Sequence, residues 1–199
     1  MRLSLKLLAM ASILSWAIWP GARPIVVQGQ PTVSELFQKL QSSQTTDQAA
    51  EQLLKLGKSD AAAKQYLADH LPALIEKGPT YVPQWPGSQW LSAVRLAGEL
   101  KIVEAAPALA KWISVSTSSV LTLSGESHLR TSPTGTALVQ IGDPAIPALR
   151  DLLEQNGQWR AAYALNLIGS PKAKAALREH ATHEPDESMV QFINKATSK

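Results

Sequence analysis

Ile141–Leu153 reads IGDPAIPALRDLL, and the fold turns on how its two prolines are read. A glycine closes one apolar run. Asp143 and Pro144 follow it, and a second apolar run begins that carries its own proline, Pro147. Each residue has a place in one physical unit. Gly142 can take the left-handed backbone that ends a helix. Asp143 can cap the next helix, and Pro144 suits its first position, where a missing N–H costs little. Pro147 still falls near the first turn, where few amides have helical acceptors. Ile146, Leu149, Leu152 and Leu153 then recur at helical spacing on one face. The stretch is a turn between two helices, with a slightly bent start aiming the second back along the first.

Three other stretches share the pattern: LLKLGKSDAAAKQYL (Leu53–Leu67), LAGELKIVEAAPALAKWI (Leu96–Ile113) and ALNLIGSPKAKAALREHA (Ala164–Ala181). Gly57 and Gly169 sit at the place of Gly142, whereas one copy has Lys101 there. Ser170 and Pro171 repeat the capping arrangement, and Pro107 lies within one residue of the place of Pro147. Ala106, Leu109 and Ile113, like Ala173, Ala176 and Leu177, supply apolar faces rich in alanine, which lets helices approach closely. No such pair can bury its face alone, so neighbours must stack.

The GDPAIPAL and GELKIVEAAPAL segments resemble HEAT repeats, in particular the short bacterial kind also called phycobilisome-lyase HEAT-like repeats. The resemblance covers roughly Ala49 to Ala181. It implies an all-α fold: a right-handed α-solenoid of stacked antiparallel helix pairs, about four repeats with capping helices. It implies no particular chemistry, because this family scaffolds many activities. The spacing is uneven. Leu56 to Leu100 is 44 residues, Leu100 to Ile141 is 41 and Ile141 to Ile168 is 27, so the first two intervals carry insertions. Pro72 is expected to split the helical segment Ser59–Lys77 in two.

The N-terminus has the order of an export signal: Arg2 and Lys6, an apolar run of 13 residues from Leu7 to Trp19, then Pro20 and Gly21. The run is short of the ~20 residues of a membrane span. A cut after Gly29 fits the small-residue rule, giving residues 1–29 as a signal peptide and 30–199 as the HEAT-like domain. The expected location is periplasmic or secreted, with tethering by an uncleaved signal as the alternative. Arg2, Lys6 and Arg23 precede residue 30 with no acid among them; removing these three from 19 basic residues leaves 16, against 16 acidic. A near-neutral mature chain argues against nucleic acid as a partner. The chain has no cysteine, which excludes thiolate catalysis and cysteine metal sites.

The first insertion, GPTYVPQWPGSQW (residues 78–90), holds three prolines and three aromatic residues. Tyr81, Trp85 and Trp90 are the candidate contacts for a ligand or partner. The competing reading folds these rings inward to fill the core, as large apolar area favours. The second insertion, residues 114–134, has 11 Ser or Thr among 21 residues and reads as a solvated linker, with VLTL as a short strand-like turn.

Catalytic chemistry is poorly represented. Ser127 and His128 are sequence neighbours, which seldom builds a triad. There is no G-x-S-x-G elbow, phosphate loop or nucleotide fingerprint. His180 and His183, three apart with Glu179, Glu184, Asp186 and Glu187 nearby, could hold zinc on a helix face. Pro185 and the cations Arg178 and His180 favour a solvated helix C-terminus instead. His70 and His128 have no matching partners. No catalytic residue, cofactor or metal site is assigned. The sequence therefore favours a non-enzymatic binding or scaffold module for a protein or peptide. The alternative is a lyase-like enzyme or cofactor-handling protein with a pocket beside the aromatic insertion.

Overall fold

The computed structural model describes residues 31–42, 45–79, 88–116, 129, 131–155 and 158–198. The expected signal peptide lies outside them, as does the VLTL turn. All regular structure among the described residues is helical: α1 (Val33–Leu40), α2 (Thr46–Ser59), α3 (Ala61–Glu76), α4 (Gln89–Glu99), α5 (Ala106–Lys111), α6 (Pro133–Ile141), α7 (Ile146–Leu153), α8 (Gln158–Ile168), α9 (Pro171–Ala181) and α10 (Glu187–Thr197). No helix among the described residues is long and apolar enough to cross a membrane.

Packing follows chain order with a simple alternation. Helices α2, α4, α6, α8 and α10 each pack on the next in that series, and α3, α5, α7 and α9 do the same in a second series. Contacts between α2 and α3, α7 and α8, and α8 and α9 join the two series, and α1 covers α2. One cluster of buried side chains runs through them from Leu36 to Ile193, including Leu53, Leu67, Leu96, Leu109, Leu138 and Leu149. Each such leucine contributes about 1.5–3 kcal/mol by leaving water.

The two prolines of the opening stretch belong to two consecutive starts. A 3-10 turn, Asp143–Ala145, carries Pro144, and α7 begins at Ile146 with Pro147 in its first turn. The turn Val103–Ala105 and Pro107 repeat this ahead of α5. Asp143 makes no side-chain cap, contrary to expectation, because the 3-10 turn rather than an α-turn receives the chain. Ser170 does cap α9, its Oγ accepting from the Ala173 amide at 3.1 Å ahead of Pro171.

The glycine positions divide by physical role. Gly142 and Gly169 have positive φ, +80° and +65°. Lys101 also has positive φ, 52°, so the copy without glycine keeps the conformation that glycine favours. The Lys101 amide donates to Gly98 O at 3.1 Å and the Ile102 amide to Ala97 O at 2.9 Å, closing a Schellman motif with Ile102 buried behind it. Gly57 is not a helix stop, because α2 continues to Ser59. A Cβ there would lie 2.7 Å from Leu100 Cδ1, so Gly57 provides room for the end of α4.

Pro72 does not split α3. The helix runs unbroken through it. Leu71, Leu74 and Ile75 flank the proline and are buried, so both halves are held by one core. That burial outweighs the roughly 3 kcal/mol that an internal proline costs.

Candidate functional site

The aromatic insertion is described only at its end. Tyr81 and Trp85 lie outside the described residues. Trp90, in the first turn of α4, is 3% exposed, and its indole N–H donates to the Ile75 carbonyl at 3.2 Å. This ring fills core space between α3 and α4. Arg95 and Glu99, which would join it in a pocket, face outward and pair with Glu51 and Lys58 of α2.

The second insertion, read as a solvated linker, is described only near its ends, where Ser114 is exposed and the end nearest α6 is packed. Leu129, Ser132 and Thr134 are buried. Ser132 Oγ donates to Ile113 O at 2.9 Å and accepts from the Gly135 amide at 3.1 Å, capping α6. Thr134 Oγ1 donates to Trp112 O at 3.0 Å. These hydroxyls satisfy carbonyls at the end of α5, where helical donors run out. Ser127 and His128 lie outside the described residues. His70 belongs to an aromatic group on α3: its Nδ1–H donates to Tyr66 O at 2.7 Å and its ring stacks on Tyr66, with centroids 4.0 Å apart.

The site with chemical potential lies where α7 and α9 end. Helical spacing places His180 in the last turn of α9, and a further turn, closed by the Thr182 and His183 amides, carries His183 beyond it. The chain then reverses at Pro185, and Asp186 caps α10 by accepting from the Ser188 and Met189 amides. Helix α10 folds back on α9, and this terminus is partly covered, with His183 and Glu154 remaining exposed. His180 is 4% exposed and the Glu184 side chain 2%.

Buried polar groups must be paired, and these are. His180 Nε2 lies 2.6 Å from Glu184 Oε2, while Glu184 Oε1 accepts from the Asp186 amide at 2.9 Å. His180 Nδ1 faces Glu154 Oε1 at 3.2 Å, and His183 Nε2 approaches the same oxygen at 3.2 Å. Glu154 follows directly after α7, 26 residues before His180. Its carboxyl is held below its ordinary range, first by the hydrogen bond with His183 and then by that with His180. A hollow of about 30 Å³ opens beside these groups, enough for one water or ion. Such a cluster can share protons or bind a cation.

Of the acids expected near the histidines, Glu184 is the one brought to them. Glu179 pairs with Arg150, and Asp186 serves the cap of α10. Glu154 was missed, since no local spacing links it to His180. No protein-family model matches the chain, and no curated protein or solved structure matches it either.

Proposed function

We propose that the chain is a short HEAT-like α-solenoid acting as a non-enzymatic binding or scaffold module of the cell envelope, with a protein or peptide as its partner. The observation that supports it is the two series of helices, each member packing on the next in its own series. Antiparallel pairs stacked side by side give this alternation, and such stacks present extended concave surfaces lined by the second helix of each pair. Here those helices are α3, α5, α7 and α9. Ion pairs cross between neighbours in that series, Glu76 with Lys111 and Arg150 with Glu179, giving a surface of mixed charge. The burial of Trp90 in the core speaks against its lining the lyase-like pocket of the alternative.

The test is crosslinking capture from envelope extract with a chain beginning at residue 30. The expected result is one partner recovered repeatedly, and lost with Lys111→Glu or Arg150→Glu while helicity is unchanged. Repeated capture of nothing, or capture indifferent to both substitutions, would count against the reading.

A further inference from the structure

The geometry points to Glu154, His180 and His183 as the protein ligands of one divalent transition-metal ion of the zinc class. The argument begins with lone pairs. Glu184 is an acceptor 2.6 Å from His180 Nε2, so that nitrogen carries the proton. In the neutral ring Nδ1 then presents a lone pair to Glu154 Oε1 at 3.2 Å. His183 Nε2 is directed at the same oxygen from 3.2 Å. Acceptors that meet in this way need something positive between them, either protons on the imidazoles or a metal ion.

Distances favour the metal as a fit. Ligand atoms bound tetrahedrally at 2.0–2.1 Å lie roughly 3.3–3.4 Å from each other. Two of the three edges of the Glu154–His180–His183 triangle are 3.2 Å. The three ligand atoms all lie within 4.8 Å of one another, so the remaining edge closes by rotation of His183, whose side chain is 53% exposed. Donor type agrees as well: two imidazoles and a carboxylate suit zinc better than calcium or magnesium, which prefer oxygen.

What lies behind the ligands strengthens the assignment. The Glu184 carboxylate holds the far nitrogen of His180, fixing its tautomer and ring plane as outer carboxylates do in histidine metal sites. It is itself fixed by the Asp186 amide. Arg150, the cation bordering the hollow, is engaged by Glu179. Glu154 and His183 are exposed, which leaves the fourth coordination position open to water and makes the ion exchangeable.

The experiment uses the purified, untagged chain after chelation and dialysis, titrated calorimetrically with Zn²⁺ and spectroscopically with Co²⁺. One equivalent should bind, with visible Co²⁺ bands of a four-coordinate site. Glu154→Gln and His183→Gln, both at exposed positions, should each weaken binding at least tenfold with helicity intact. Glu184→Gln should weaken it by about 10–100-fold through loss of the outer carboxylate. His70→Gln should change nothing. The absence of saturable binding, or one equivalent bound unchanged by both Glu154→Gln and His183→Gln, would overturn the assignment.

Discussion

Replacing Lys101 with glycine should stabilise the protein, although it deletes a side chain and adds backbone freedom. The residue holds φ 52° at the end of α4. For an L-residue the left-handed conformation costs roughly 1–2 kcal/mol, which glycine does not incur. Glycine also gives the unfolded chain more freedom, costing about 0.4–1 kcal/mol. The central difference is a net gain of about 0.8 kcal/mol, within a span of about 0–1.6 kcal/mol. In a domain of this size that corresponds to a rise in Tm of about 1–4 °C. The side chain is exposed, so its loss alone should matter little. Lys101→Ala isolates that contribution, because alanine keeps the backbone penalty; it should melt within a degree or so of the parent. Gly142→Ala tests a second positive-φ position, in a different backbone region. Its φ is +80° and ψ −139°, and a Cβ there would meet nothing within 4 Å, so any loss is backbone strain. That loss should be about 1–3 kcal/mol. A Lys101→Gly protein melting at or below the parent, with Lys101→Ala unchanged, would refute the reasoning.

Three further outcomes follow from particular contacts. Pro72→Ala should raise stability by about 2 kcal/mol in urea unfolding, since it returns a donor to the Ala68 carbonyl inside α3; a loss would mean that the proline ring packs better than its absence bonds. Gly98→Ala should cost about 1 kcal/mol net, because its Cβ would run into the Gln140 side chain and lie 2.9 Å from Ala137 Cα and 3.0 Å from Ala137 Cβ across the α4–α6 contact; Ala137→Gly removes only that Cβ, so it should return a small part of the loss in a double-mutant cycle. In metal-free protein the lowered Glu154 pKa means a stabilisation that is complete above its ordinary 4.5 and lost as pH falls through the depressed value, so Glu154→Gln should remove that acid-side slope from the urea midpoint; superimposable pH profiles would disprove it.

Helix-turn-helix periodicity could be read directly, because the apolar spacing and the marks of Gly142, Gly169, Ser170 and Pro171 are local. What escaped reading was set by partners distant in sequence. Gly57 looks like a helix stop until Leu100, 43 positions later, is found against it. Lys101 looks like a missing glycine until the buried Ile102 locks the turn that forces it. Pro72 looks like a break until Leu71, Leu74 and Ile75 are seen to hold one core. The histidine pair was visible as an i, i+3 spacing. The burial of His180 was not, because Pro185 marks a chain reversal equally well whether the next helix leaves or folds back.

That reversal bears on why the cluster exists. A histidine and a carboxylate buried at this reversal lose hydration, and apolar residues of similar volume would often hold the helices as well. The same carboxylate that orients His180 also accepts from the Asp186 amide at the start of α10, and at the other end of that helix Arg178 donates to the Thr197 carbonyl at 2.8 Å. Polar groups of α9 and its following turn thus register both ends of the last helix. An ion drawn to Glu154, His180 and His183 would fasten the end of α7 to that same turn. In a fold where each helix packs chiefly on its neighbours, such a fastening acts first on the last members of the two series. Zinc should therefore protect the amides of α9 and α10 from hydrogen exchange more than those of α2 and α3, and even protection along the chain would argue for binding somewhere else.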